Sequence, residues 1–103
     1  MKKKVLLSQA VKNKFKNIEI PLEFNLKNIS INGDKRGCSG FITNKENNNI
    51  VYLTTEPLTF GPLLGKIMYR TAKSLKDYTG GCNHWTTEEN LVACVKSMLI
   101  SGR

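Results

Sequence analysis

Three stretches of this chain gather side chains that could carry chemistry. Lys66, Arg70 and Lys73 recur at i, i+4 and i+7, the spacing of one helical face, with Tyr69 beside them. Lys76 extends the row and Asp77 interrupts it. A phosphate backbone needs such a row of cations, and an aromatic ring offers an unpaired base a surface to stack on. Asp34-Lys35-Arg36-Gly37-Cys38-Ser39-Gly40 sets two bases ahead of two glycines and a serine. Backbone amides freed by glycine bind phosphate, and Lys35 and Arg36 would add charge. The glycine spacing and closing Lys-Ser/Thr pair of a phosphate loop are missing, so the segment reads first as a turn entering a hairpin.

The third stretch, Gly80-Gly81-Cys82-Asn83-His84-Trp85, holds the only His and the only Trp. Cys82 and His84 would need a third group to orient the imidazole before they could act as nucleophile and base, and the sequence offers none. Cys38, Cys82, Cys94 and His84 match a Cys₃His zinc site in number but contain no Cys-x-x-Cys pair. Neither metal nor cofactor is expected. Trp85 reads either as a cover over the core or, with His84, as a stacking platform. Phe41 and Tyr52 fall on opposite arms of a predicted hairpin. Facing outward, they would make the aromatic sheet surface that single-strand binders use. Phe41 is expected in the core and Tyr52 is left open. Glu56 has no companion carboxylate at useful spacing, so no hydrolytic acid/base pair is proposed and no enzyme is expected.

The charge balance favours the polyanion reading. Sixteen Lys and Arg oppose eight Asp and Glu, for a net charge of +8. Residues 1–16 carry six Lys and no acid, residues 17–60 are close to neutral, and residues 61–103 are again basic. Such a surface attracts nucleic acid or an acidic protein. Thirteen of the bases are Lys and eleven residues are Asn, a bias that a low-GC genome also produces. At 103 residues with 40% apolar composition, the chain is one small domain, 1–103, with a single modest core. No apolar run approaches the ~20 residues of a membrane span. Met1-Lys2-Lys3-Lys4-Val5-Leu6-Leu7 opens like a secretory leader, but the apolar stretch stops at Ser8-Gln9, short of the ~7–15 residues such a core needs. With three widely spaced cysteines, the expectation is a cytoplasmic protein with free thiols.

These residues must be held by secondary elements. A short helix is predicted over 4–15, with Leu6, Leu7, Ala10 and Val11 on one side, although Lys14 falls on that same side. Residues 18–24 alternate as a half-buried strand, and Pro21 places it at a sheet edge. Ile29 and Ile31 suggest a further short strand ending at Asn32-Gly33-Asp34. A β-hairpin is predicted at about 39–54, around the polar loop Asn44-Lys45-Glu46-Asn47-Asn48-Asn49. Gly37 and Gly40 mark a bend or bulge. A strong helix is predicted over 62–77, ended by Gly80-Gly81. Thr86-Thr87-Glu88-Glu89 reads as a capping box, with Thr86 as cap, for a last helix running to about Ile100. The fold class is therefore α+β: a small antiparallel sheet with a central hairpin, packed against an N-terminal and two C-terminal helices.

Lys35-Arg36-Gly37-Cys38-Ser39-Gly40-Phe41-Ile42, followed by Asn49-Ile50-Val51-Tyr52-Leu53, resembles small uncharacterised proteins carried on mobile genetic elements of low-GC Gram-positive bacteria, notably the staphylococcal cassette. Some proteins of that kind sit beside replication helicases, and at least one group binds single-stranded DNA. The resemblance covers less than a quarter of the chain and carries no functional residue across; it implies a single-strand-binding role. The combined expectation is a non-enzymatic single-stranded nucleic-acid-binding protein using Lys66, Tyr69, Arg70, Lys73, Lys35, Arg36, Tyr52 and Trp85. The alternative is a protein-interaction factor (inhibitor, immunity or replication accessory protein) presenting a basic helix face to an acidic partner. Oligomeric state is not determined by the sequence.

Overall fold

The computed structural model describes residues 6–31, 33–55, 66–76 and 82–102, with backbone alone at 31 and 34–36. Its elements are α1 (Ser8–Lys14), β1 (Leu22–Ile31), β2 (Asp34–Asn44), β3 (Ile50–Thr54), β4 (Ile67–Ala72), β5 (His84–Thr86) and α2 (Leu91–Ser101). The strands form one antiparallel sheet in sequence order, β1-β2-β3-β4-β5. α1 packs on β1 and β2, and α2 on β2, β3 and β4. The architecture is α+β with two layers, helices over one face of the sheet.

Strand alternation decides which residues meet the helices. Ile42 of β2 stands opposite Val51 of β3, which stands opposite Thr71 of β4; Gly40, Leu53, Tyr69 and His84 form the next row. Ile42, Val51, Leu53 and Tyr69 from these rows, with Ile67 opposite Thr86, join Val11 and Phe15 of the α1 region and Leu91, Val95, Met98 and Leu99 of α2 in one core. Leu53 is fully buried, so its truncation to Ala costs about 2–5 kcal/mol.

The helix predicted over 62–77 is not formed at Ile67–Ala72, which is strand; residues 62–65 and 77 lie outside the described residues. The segment is rich in β-branched and aromatic side chains, and its apolar residues fit a period of two as well as a helical one. Pairing with β3 settles the matter, because it satisfies the backbone of β3 and buries Ile67 and Tyr69 together. Only one C-terminal helix is therefore present among the described residues.

Other boundaries shift for local reasons. β1 begins at Leu22, after Pro21, and continues through the separately predicted Ile29–Ile31 segment as one edge strand. Thr86 is a buried strand residue rather than a helix cap, and α2 starts from Asn90 with no side-chain cap. The expected stop at Gly102 is present, in left-handed conformation with its N–H on the Met98 carbonyl at 2.8 Å. Gly37 and Gly40 have steric reasons. A side chain at Gly37 would collide with the Thr55 backbone carbonyl, and the β1–β2 register shifts just beside it, between Ile29 and Ser30. Gly40 has φ +146° and receives the Asn25 carbonyl where a Cβ would stand.

Three tertiary clamps hold the layers. Thr55 Oγ1 donates to the Leu6 carbonyl at 2.6 Å and accepts from the Cys38 N–H at 2.7 Å. Asn28 Oδ1 accepts from the Ser8 N–H and hydroxyl at 3.0 and 2.8 Å, tying the start of α1 to β1. Asn44, Asn47 and Asn49 each donate a side-chain amide to the Leu99 carbonyl, at 3.1, 3.1 and 2.9 Å. The Asn-rich loop thus caps the C-terminal end of α2, where carbonyls lack helical partners. Lys14, misplaced on its helical wheel, reaches Glu88 at 3.6 Å.

Candidate nucleic-acid interface

The sheet face turned away from α1 and α2 carries Asn25 and Lys27 of β1, Ser39 and Phe41 of β2, Tyr52 and Thr54 of β3, and Met68 and Arg70 of β4. Trp85 of β5 follows from its pairing with Met68. Asn25, Phe41, Tyr52 and Arg70 are successive neighbours across four strands, in one row. The Phe41 and Tyr52 rings are 5.1 Å apart and tilted by 56°, and both residues are half-buried. Trp85 lies diagonally from Arg70 on the neighbouring edge strand and is 37% exposed. Among the described residues no helix covers this face.

An open concavity of about 580 Å³ runs along the β1–β2–β3 side of this face. Asn25, Lys27, Phe41 and Tyr52 form its floor, and Leu75 and Lys76, beyond the end of β4, line it too. Two exposed cations, Lys27 and Lys76, line it, and Arg70 is half-buried beside Tyr52. The arrangement supplies flat rings for stacking, amide groups for base edges and cations for phosphates.

The predicted residues are redistributed. Lys66 directly precedes β4 and Lys73 directly follows it, so the helical stripe of Lys66, Arg70 and Lys73 does not exist. Lys66 and Arg70, four residues apart, share a strand face at roughly 13 Å spacing. Tyr69 is corrected outright. It points into the core at 9% exposure, its ring 5.4 Å from His84, and its hydroxyl pairs with the Cys94 thiol. Burial, and secondarily Cys94, push its pKa up to about 12. It is not available to stack a base. Phe41, expected in the core, faces outward, because the core side of β2 belongs to Cys38, Gly40 and Ile42. Lys35 and Arg36 belong to β2 at the register shift, and their side chains lie outside the described residues, as do Gly80 and Gly81.

Sequence reasoning missed Lys27 and Asn25 as members of this face. Their signal was the alternation of Glu23, Asn25 and Lys27 against Leu22, Phe24 and Leu26. The cysteines are dispersed: Cys38 is buried, Cys94 packs on Thr86 and Tyr69, and Cys82 is exposed. Burial raises the Cys38 thiol above its ordinary value, against a Thr55 hydrogen bond that lowers it, which disfavours the nucleophilic thiolate. No helix among the described residues is long and apolar enough to cross a membrane.

The fold and this face define an open-faced α+β domain with an aromatic and cationic sheet surface. No protein-family model, curated protein or solved structure matches the chain.

Proposed function

We infer that the protein binds single-stranded nucleic acid, without catalysis, across the outer face of its sheet. One observation carries the reading: the Phe41–Tyr52 ring pair stands on the sheet face that no helix among the described residues covers, with Arg70 next in the same row. Two unpaired bases stack on or beside these rings, at about 1–3 kcal/mol each. Arg70, Lys27 and Lys76 meet the phosphates, and Trp85 extends the platform toward β5. A duplex hides its base faces and gains only the cationic term, so single strands are preferred. The net charge of +8 supports the same reading.

The test is fluorescence anisotropy with labelled single-stranded and duplex oligonucleotides, DNA and RNA, across a salt series. Tighter binding of single strands, lost on Tyr52→Ala or Phe41→Ala with circular dichroism unchanged, supports the reading. Equal affinity for duplex, or binding indifferent to both substitutions, overturns it. Retention on an acidic protein with no oligonucleotide binding would favour the protein-interaction alternative, whose basic helix face over 62–77 is not built at Ile67–Ala72.

A further inference from the structure

β1 is a ten-residue strand at the edge of the sheet, and its outward backbone groups can be identified. The Lys45 N–H donates to the Pro21 carbonyl at 2.9 Å, directly continuing the β1–β2 register. Odd-numbered β1 residues up to Ile29 therefore point their backbone groups at β2, and Leu22, Phe24, Leu26 and Asn28 point theirs away. Among the described residues no backbone group pairs with that outward set. Exposed edges of this length invite another strand.

The side chains along this edge complement themselves. Antiparallel pairing of β1 with its own copy about a two-fold axis at Asn25 puts Glu23 opposite Lys27 of the second copy, and Lys27 opposite Glu23. On the other face it puts Phe24 against Leu26 and Leu26 against Phe24. Phe24 and Leu26 are half-buried core-flanking residues, with surface left to cover. Backbone parity agrees, because the even-numbered residues that face outward become the hydrogen-bonded pairs. Glu23 and Lys27 then fall at non-hydrogen-bonded sites, where side chains approach closest. Moving the axis by one residue along the strand separates the two charges. A lone edge Lys discourages pairing; here Glu23 answers it and selects one register.

We propose that the protein forms a two-fold dimer through β1–β1 pairing centred on Asn25, with a second copy of this chain as the occupant of that edge. The dimer joins the five described strands of each copy into one continuous sheet, with the described helices of both copies on one side. On the outer side, the row Arg70, Tyr52, Phe41, Asn25 continues into the same residues of the second copy in reverse order. It spans roughly 34 Å at about 4.8 Å per strand. The dimer follows from the edge alone and stands whether or not the outer face binds nucleic acid.

Light scattering on the full-length chain after size exclusion, over a concentration series without nucleic acid, tests it. The expected mass is twice the single-chain 11.6 kDa at high concentration. Glu23→Lys and Lys27→Glu should each weaken association by more than about tenfold, since like charges then face each other at both symmetric contacts. The combined swap, Glu23→Lys with Lys27→Glu, should restore the dimer. Single-chain mass throughout, dimers that survive either single reversal, or a double swap that fails to rescue would each overturn the proposal.

Discussion

Tyr52 of β3 and Arg70 of β4 stand directly opposite each other on the outer face of the sheet, with Phe41 on the far side of Tyr52 in the same row. A ring flanked by a cation and a second ring combines two separable modes of contact. Stacking releases no counterions, whereas each phosphate contact does. Arg70→Ala should therefore weaken single-strand binding and flatten the slope of log affinity against log salt by about 0.7. Tyr52→Ala should weaken binding by about 1–3 kcal/mol and leave that slope unchanged. Anisotropy titrations at several salt concentrations read both effects.

Tyr69 should behave as a core residue. Its side chain is buried between β4 and α2, so Tyr69→Ala should cost about 3–5 kcal/mol in urea unfolding, by analogy with other large aromatic truncations. Tyr69→Phe keeps the ring and loses the bond to Cys94, costing about 1 kcal/mol. Oligonucleotide affinity of the folded Tyr69→Phe protein should match that of the unsubstituted chain.

The same hydroxyl makes stability sensitive to alkali. Its folded-state pKa of about 12 lies above the ordinary value of 10.0, so the native state holds its proton where the unfolded chain has lost it. The contribution is complete below 10.0 and is lost as pH rises toward about 12, at up to about 1.4 kcal/mol per pH unit. Urea midpoints measured across that window should fall with pH, and Tyr69→Phe should fall less steeply.

The asparagine clamp on α2 should be graded. Asn44 is buried, donates to the Leu99 carbonyl and accepts from the Glu46 N–H, so Asn44→Ala should cost about 1–3 kcal/mol. Asn47→Ala and Asn49→Ala should each cost less, because the remaining amides still reach the same carbonyl. Hydrogen exchange at the last turn of α2 should accelerate most when all three are replaced.

The sequence by itself determined the parts that rest on local chemistry. The 39–54 hairpin was legible from β-branched runs around an Asn-rich turn, and Asn48 does adopt a left-handed backbone at φ 65°. The last helix and its Gly102 stop were legible from apolar periodicity and glycine; β1 lies at the sheet edge as Pro21 suggested, although Pro21 precedes the strand and turns its carbonyl toward β2. Tertiary structure alone decided the site. Residues 67–72 carry both a helical and a strand period, and only the β3 edge waiting beside them selects the strand. That choice moved Tyr69 from an imagined surface into the core and parted it from Arg70. Phe41 and Ile42 are neighbours of similar hydrophobicity, and nothing local says which of the two faces the helices. The register that sets Ile42 against Val51 decides it, because a strand that shifts by one residue turns every side chain to the other face.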